Sequence, residues 1–279
     1  MRDRVVEYTG DMPIQVLSKE VAARIAAGEG VERPSSAVKE LVENAIDAGA
    51  TYVQVEVVSG GLEGIRVVDN GHGIPMAEVG SLFQRHATSK LIAATDLDSI
   101  TTMGFRGEAL YSLAAVAEVS LLTRTVVQES AAYVETSNGS VSRQEPRGGP
   151  IGTTVSIKKL FEQVPARKKF LRTPKSELAR IHTVMAHYSL AYPDVRFSLL
   201  TDGRTSFSSP GNGDLRDAVS AVYNREVAQA LLAVESVSEP GIKVSGLVSA
   251  PDLYRANRSY ISLYVNQRPI QSRTLTYAV

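Results

Sequence analysis

One short segment, residues 39–49 with the sequence KELVENAIDAG, constrains the fold more than any other part of the chain. The spacing of its apolar residues predicts an amphipathic helix over residues 36–48 that packs its apolar face against a sheet. Pro34 and Ser35 are typical of a helix start, and Gly49 is typical of a helix stop.

A polar stripe runs along the other side of this predicted helix. Glu40, Asn44 and Asp47 follow one another at i, i+4 and i+7, so their side chains face the same way. Glu43 points away from this stripe and is expected in solvent. A carboxylate and a carboxamide one turn apart can serve as a general base and a metal ligand. A solvated helix face explains the same residues equally well, and the helix alone leaves both interpretations open.

Composition limits the kinds of site that the chain can carry. It contains no cysteine, which excludes disulfides, thiolate metal sites and a cysteine nucleophile. Its four histidines include no pair at i, i+4, which argues against a zinc site. Lys+Arg and Asp+Glu each number 30, so a contact with nucleic acid needs a local basic patch. Without a signal peptide or a long apolar run, the expected protein is cytoplasmic and has no membrane contact.

Alternating apolar and polar residues predict several strands. The clearest is Tyr52–Val58, which the turn Ser59-Gly60-Gly61 returns as the strand Gly64–Val68 in a hairpin. The pair Asn138-Gly139 predicts a second hairpin. Further strands are predicted at 119–124, 132–136, 152–158 and 195–201. Further helices are predicted at 18–27, 110–117 and 176–188.

A turn-rich segment, residues 208–213, is the best domain boundary in the chain. We expect an N-terminal extension over residues 1–11, a first domain over 12–209 and a second domain over 214–279. The second domain is predicted to contain a helix at 215–223 and strands near 231–237, 242–249 and 260–265. Strands with helices on one face predict an α+β sandwich in each half.

The strand that ends at Val68 is followed by Asp69-Asn70-Gly71-His72-Gly73-Ile74. Glycines at alternate positions after a strand suit the close approach of a flat ligand to the backbone. A buried carboxylate at Asp69 can accept a hydrogen bond from an exocyclic amine such as adenine N6. A simple Asp-Asn-Gly turn accounts for these residues equally well.

Two further segments could bind a phosphate or cover it. Residues 104–110, GFRGEAL, run into an apolar helix, and glycines before a helix N-terminus favour an anion. The spacing is neither that of a Walker A loop nor that of a Rossmann fingerprint, and such loops are often ordinary turns. Residues 85–103, which begin with RHATSK and continue as a polar stretch, could close over a nucleotide as a lid, or they form a solvated connection.

Thr153, at the start of the strand 152–158, is the last candidate. Its hydroxyl could bridge through water to a bound base and to Asp69. A β-branched residue at a strand start needs no function, however.

Taken in order, these motifs resemble the four-part nucleotide site of the GHKL ATPases. Their amino-acid sequences are similar to those of the MutL family of DNA mismatch repair ATPases. The segments that carry the resemblance are 25–50, 85–90, 104–110, 165–171 and 264–270. The resemblance implies an α+β fold: a Bergerat-type two-layer α/β sandwich with a mixed sheet, followed by a ribosomal-protein-like βαβ second domain.

The resemblance also implies a role for each candidate residue. Glu40 would be the general base, and Asn44 would supply an oxygen to Mg²⁺. Asp69 would bind the adenine of ATP with support from Thr153, and Asp47 would anchor structure. Further nucleotide contacts would come from Gly71, Gly73, Ile74, Thr88, Ser89, Lys90, Gly104, Phe105, Arg106, Gly107, Glu108, Ala109 and Leu110.

Basic residues exceed acidic ones by six between residues 158 and 180. Such a run is usually a solvated face, but in this family it would contact duplex DNA through its phosphates, without sequence preference. The residues expected to contact DNA are Arg167, Lys168, Lys169, Arg268 and Arg273, and Arg273 is the better candidate of the last two.

The implied function is that of a mismatch repair ATPase. It would bind Mg-ATP, hydrolyse it slowly, and form a homodimer with a closed lid that clamps DNA between a mismatch recognition protein and a downstream nuclease or helicase. We expect it in the bacterial cytoplasm, associated with the nucleoid. The alternatives are an ATP- and DNA-binding fragment without significant turnover, and the ATPase region of a type II topoisomerase.

The chain ends at Val279, before the position at which the family carries a lysine that reaches the γ-phosphate. The resemblance therefore implies a truncated second domain with slow hydrolysis and an exposed sheet edge.

Overall fold

The computed structural model describes residues 30–88, 90, 102–104, 107–239, 242–253 and 258–279. The expected extension at 1–11 and helix at 18–27 lie outside these residues. Eight strands form one sheet in the order β5-β4-β3-β6-β2-β1-β7-β8. The strands are β1 (Tyr52–Val58), β2 (Gly64–Asp69), β3 (Glu118–Arg124), β4 (Ala131–Ser137), β5 (Ser140–Arg147), β6 (Gly152–Lys158), β7 (Arg196–Thr201) and β8 (Arg204–Ser208). Only the pairing of β1 with β7 is parallel in this sheet, so the sheet is mixed.

Helix α1 (Pro34–Asp47) carries the polar stripe, close to the range predicted for it. It begins with Pro34, whose fixed φ suits the first turn and whose missing N–H has no helical partner to lose. It ends before Gly49, which has a φ of +70°. Its buried apolar side chains pack on the sheet, where full burial of a valine or leucine contributes about 1.5–3 kcal/mol and of an alanine less. They are Ala37, Val38, Leu41, Val42 and Ala45.

Three further helices belong to the same part of the chain: α2 (Ala109–Val116), α3 (Pro165–Phe170) and α4 (Pro174–Ala191). The hydroxyl of Thr173 caps α4 by accepting from the amide of Ser176, and α4 buries Ile181, Met185 and Tyr188. The short helix α3 was not predicted, because six residues are too few to show a helical period.

Beyond residue 213 the described residues form α5 (Leu215–Val222), α6 (Arg225–Ala230), the hairpin β9 (Leu231–Glu239) and β10 (Ile242–Ser249), the hairpin β11 (Leu263–Val265) and β12 (Arg268–Ile270), and α7 (Arg273–Ala278). Ala218, Val219 and Ala228 form a small second core with Leu190 of α4. The hydroxyl of Tyr264 donates to the carbonyl of His187 over 3.2 Å. The two cores therefore meet along α4, and the domain boundaries stay a prediction.

Strand positions agree with the sequence where one face is buried. β1 and β6 have the predicted bounds, and Asn138 and Gly139 have the positive φ angles of a tight turn between β4 and β5. The edge strand β8 was missed, because its mostly exposed residues show no alternation of burial. Among the described residues, none of the helices has both the length and the hydrophobicity that crossing a bilayer requires.

Candidate functional site

The sheet register brings Asp69, at the end of β2, opposite Thr153 in β6. One carboxylate oxygen of Asp69, Oδ1, accepts from the amide of Gly71 at 2.9 Å and from the amide of Thr153 at 3.2 Å. Burial raises the pKa of Asp69, and the two amides and His72 oppose that shift. Within the described residues no donor reaches Oδ2. A fixed carboxylate with one available oxygen is suited to accept a hydrogen bond from a ligand amine.

Thr123, which the sequence interpretation missed, connects the groups around Asp69. Its hydroxyl lies 3.0 Å from the Thr153 hydroxyl, accepts from the amide of Ile74 at 2.9 Å and contacts the carbonyl of Gly152 at 3.2 Å. The side chain is buried, at a position of β3 where Val119 and Leu121 set an apolar pattern. A threonine in the buried phase of a strand is the signal that would have identified it. Thr153 supports Asp69 through its backbone amide, whereas its hydroxyl is paired with Thr123.

Gly71 and Gly73 are required by the packing of the chain itself. A Cβ at Gly71 would lie 2.7 Å from the carbonyl oxygen of Ala48, at the end of α1. Gly73 has a φ of +72°, and a Cβ there would lie 2.2 Å from the carbonyl oxygen of Arg124. Both glycines therefore have a structural reason that involves no ligand. Asp69, Gly71, Gly73, Ile74, Thr123 and Thr153 lie where the sequence leads us to expect a nucleobase. We call them the base side of the site.

Asp47 organises the opposite side. Its Oδ1 accepts from the amide of Met103 at 2.7 Å, and its Oδ2 accepts from the amide of Gly104 at 3.0 Å and from the ammonium of Lys90 at 2.5 Å. Its side chain is 7% exposed. Asp47 thus has the anchoring role that the sequence predicts. Asn44, Asp47, Lys90, Met103, Gly104 and Gly107 lie where the sequence leads us to expect the phosphates. We call them the phosphate side.

The carboxamide oxygen of Asn44 also faces a cation. It accepts from the ammonium of Lys90 over 3.1 Å, while Lys90 is held by Asp47. The Asn44 oxygen already faces a positive charge, which fits its expected role as a ligand of Mg²⁺. The described residues contain no cluster of three His, Asp or Glu side chains that could hold a metal.

The segment that precedes Lys90 packs on the loop before α2. A Cβ at Gly107, which has a φ of +60°, would lie 2.6 Å from the carbonyl oxygen of Ala87. The carboxylate of Glu108 lies 3.4 Å from Arg85 and 3.2 Å from His86.

The other candidates of this region flank these contacts. The Thr88 hydroxyl accepts from the amide of Lys90 at 3.1 Å, and Ala109 and Leu110 are half-buried at the start of α2. Ser89, Phe105 and Arg106 lie outside the described residues.

Glu40 and Glu43 have environments that differ from each other. The Glu40 side chain is 35% exposed, and its Oε1 lies 3.7 Å from Lys39. The expectation that Glu43 is solvated is wrong. Glu43 is buried, accepts from the hydroxyl of Tyr188 in α4, and lies 3.0 Å from Lys39.

The error over Glu43 has a geometric cause. Three residues after Glu40, a helix has turned towards its neighbouring helix, and the position of that neighbour is not a local property of the sequence. Burial, together with the charge of Glu43, raises the pKa of Tyr188. The pair ties α1 to α4 beside the general-base candidate.

The expected DNA contacts fall into two groups. Lys168 and Lys169 on α3 and Arg273 on α7 are exposed. Arg167 donates to the carbonyl of Val31 at 2.9 Å and lies over the ring of Phe161. Arg268 donates to the carbonyl of Thr102. Two of the five therefore have partners within the protein, and DNA contact stays a prediction for all five.

Family models match two parts of the chain. Residues 32–151 match a model described as "Histidine kinase-, DNA gyrase B-, and HSP90-like ATPase". Residues 219–279 match one described as "DNA mismatch repair protein, C-terminal domain".

Curated relatives match nearly the whole chain. DNA mismatch repair protein MutL of Halothermothrix orenii is 44% identical over 95% of this chain and 41% of its own length. MutL of Desulforamulus reducens is 44% identical over 94% of this chain and 41% of its own length. The chain thus spans about two fifths of the length of these relatives.

Solved structures share the fold. The N-terminal domain of a DNA repair protein is 29% identical with a TM-score of 0.77, over 91% of this chain and 79% of that one. The Aquifex aeolicus MutL ATPase domain complexed with ADP is 29% identical with a TM-score of 0.65, over 88% of this chain and 86% of that one. These matches confirm the GHKL ATPase fold that the sequence predicts.

Proposed function

The chain belongs to the MutL family of DNA mismatch repair proteins, and from this we propose that it binds Mg-ATP between its base side and its phosphate side and hydrolyses it slowly to ADP and phosphate. The related ATPase domain bound to ADP supports nucleotide binding here. The domain limits proposed above, 12–209 and 214–279, assign the site to the first domain. Relatives of the same family over most of the chain favour this function over that of a topoisomerase.

One observation carries the proposal: the cluster of Asn44, Asp47 and Lys90, in which a carboxamide oxygen and a carboxylate share one ammonium group. Within the protein, Lys90 is held at the end of α1 by these two oxygens. A bound triphosphate would give the ammonium of Lys90 an additional anion to contact. The Asn44 oxygen would then be available to a metal ion. The protein therefore keeps a cation and a metal-ligand candidate together where a phosphate chain needs both.

The remaining groups divide the chemistry. Asp69 accepts a hydrogen bond from the adenine amine through Oδ2, because Oδ1 is held by Gly71 and Thr153. Glu40, one turn before Asn44 on the same stripe, accepts the proton of the attacking water. Asn44 would hold Mg²⁺, which would neutralise phosphate charge when bound.

The proposed biological role follows from the family. ATP binding closes the lid that the sequence predicts over residues 85–103 and drives homodimerisation, which makes a clamp on DNA between a mismatch recognition protein and a downstream nuclease or helicase. Because the chain spans about two fifths of its curated relatives, this role concerns the longer protein. Work on DNA implies a location with the bacterial nucleoid.

Nucleotide binding and turnover are tested together. Binding of a fluorescent ADP and release of phosphate from Mg-ATP are measured for the wild type, Glu40→Ala and Asn44→Ala. We expect Glu40→Ala to retain binding and lose phosphate release, because it removes only the base, and Asn44→Ala to weaken Mg-ATP binding. Glu63→Ala, which removes an exposed carboxylate in the turn before β2, is the matched control.

Each outcome of this experiment is informative. Absence of ADP binding in the wild type contradicts the proposed function. Equal phosphate release by the wild type and Glu40→Ala contradicts the assignment of the base, and favours a fragment that binds nucleotide without turnover. Gel filtration with a non-hydrolysable ATP analogue tests dimerisation in the same preparation.

DNA binding is tested with the two exposed lysines of α3. Replacing Lys168 and Lys169 by alanine leaves the contact of Arg167 with Val31 in place. We expect the slope of log affinity against log salt for duplex DNA to fall by about 2, because each phosphate contact contributes about one unit. The double variant Arg204→Ala/Lys243→Ala removes the same charge from exposed strand positions and is the control. An equal slope in both double variants would show that Lys168 and Lys169 form a solvated face and do not contact DNA.

A further inference from the structure

The hairpin formed by β11 and β12 contacts the phosphate side of the site. The guanidinium of Arg268, at the start of β12, donates to the carbonyl of Thr102, which is 166 residues away in the sequence. Thr102 directly precedes Met103 and Gly104, whose amides are held by Asp47. Arg268 and Asp47 therefore fix the same three-residue segment from opposite sides.

Several other contacts make this arrangement specific. The hydroxyl of Thr102 donates to the carbonyl of Gly104 at 3.0 Å, so the segment is closed on itself. The hairpin is also held on α4, because the Tyr264 hydroxyl donates to the carbonyl of His187. Burial raises the pKa of Tyr192, and the charge of Asp47 adds to this shift while that of Arg268 opposes it. The charges of Asp47 and Arg268 therefore both act on Tyr192.

The carbonyl that Arg268 contacts controls the direction of an amide. In one peptide unit the C=O and the next N–H are coplanar and point in opposite directions. Fixing the Thr102 carbonyl towards Arg268 thus fixes the Met103 N–H towards Asp47. Without this donor, the segment that carries Gly104 is free to rotate away from Lys90 and Asn44.

We propose that Arg268 is a positioning residue of the nucleotide site, which holds the 102–104 segment in the geometry that receives phosphate and makes nucleotide affinity depend on docking of the β11–β12 hairpin. This inference rests on the proposed function and deepens it. It gives Arg268 a task different from the phosphate contact with DNA expected from the sequence, and it leaves Arg273, exposed at the start of α7, as the DNA candidate of this segment.

The experiment compares Arg268→Ala, Arg268→Lys and the matched control Arg273→Ala, with all three checked for folding by circular dichroism. ADP affinity is measured with a fluorescent analogue, and the KM for ATP and kcat are measured by phosphate release. We expect Arg268→Ala to weaken ADP binding and to raise KM by about 10–100-fold, the effect of losing one hydrogen bond from a charged donor. The kcat should change by less than about twofold, because Glu40 lies about 10 Å from Asp47 along α1. Arg268→Lys should recover most of the affinity, because one donor suffices for one carbonyl.

The control separates this inference from its premise. Arg273→Ala should bind ADP like the wild type and should lose affinity for duplex DNA. If the wild type binds ADP and Arg268→Ala binds it equally, Arg268 is not a positioning residue although the proposed function stands. If Arg268→Ala lowers kcat as much as it raises KM, or if Arg268→Lys recovers nothing, the inference is also overturned. If the wild type binds no ADP, the proposed function fails first. Should Arg268→Ala not fold, Arg268→Met, which keeps an unbranched side chain but removes the donor, replaces it against the same control.

Discussion

The base side and the phosphate side meet at the end of α1, yet they are built by different means. The base side is held by pairing in the sheet, because Asp69 and Thr153 face each other in neighbouring strands. The phosphate side is held by side chains, because Asp47 binds Lys90, Met103 and Gly104 and Arg268 binds the carbonyl of Thr102. The base side is therefore as stable as the sheet, whereas the phosphate side depends on a few polar contacts and can respond to a ligand.

The largest expected effect separates the two sides by their glycines. Gly73→Ala should destabilise the fold by about 3 kcal/mol, because it combines a positive φ with an approach to backbone that cannot move. Gly104→Ala should cost less than about 1 kcal/mol, since the added Cβ comes closest to the flexible end of Lys90, at 3.3 Å, and meets Asn44 and Asp47 at ordinary contact distances. Gly104→Ala should nevertheless weaken ADP binding by moving the ammonium. Urea unfolding and ADP titration measure both effects, and equal losses of stability in the two variants would show that the two sides do not differ in rigidity.

The next effect tests whether Asp47 organises the phosphate side. Asp47→Ala should lower the free energy of unfolding by about 2 kcal/mol, because it removes the acceptor of two backbone amides and the partner of a partly buried ammonium. Asp47→Asn keeps one oxygen and should lose less. Amide hydrogen exchange should increase at Met103 and Gly104 and stay constant in β2 and β6. Faster exchange in β2 would show that the two sides are not independent.

The smallest expected effect on stability has the opposite sign. Burial raises the pKa of Asp69 above the ordinary value of 3.8, so the folded state binds a proton more readily than the unfolded state does. The contribution of Asp69 to stability is therefore greatest below pH 3.8 and is lost as the pH rises through its folded pKa. Asp69→Asn removes this loss, so at neutral pH it should keep or slightly raise the stability, by at most about 1 kcal/mol.

Function should respond to Asp69 in the other direction. We expect Asp69→Asn to lose ADP affinity while its unfolding transition is unchanged or higher, because the carboxylate is kept for a ligand rather than for the fold. Wild-type ADP affinity should also fall on acidification through the raised pKa of Asp69, where the acceptor becomes protonated. A thermal unfolding midpoint well below that of the wild type would show that the carboxylate stabilises the base side itself.

Local patterns predicted those elements whose residues carry the reason for them. α1 and the strands β1 and β6 follow from periodicity, from proline and glycine at their ends, and from alternate burial. The same patterns did not reveal α3, which is too short to show a period, or Thr123, whose hydroxyl is satisfied by partners from two other segments, Ile74 and the start of β6. Glu43 was misjudged because its partner Tyr188 lies 145 residues further along the chain.

The sequence by itself determined which residue types are available and the stripe that Glu40, Asn44 and Asp47 share, because a helical period is a local property. It also determined the family, because the motifs and their order along the chain are properties of the sequence alone. Only the tertiary structure decided that Asp47 binds Lys90 and two amides, that Gly71 and Gly73 face backbone, and that Arg268 contacts the carbonyl of Thr102. These are contacts between distant segments, and their geometry is fixed by sheet register and helix packing rather than by spacing along the sequence.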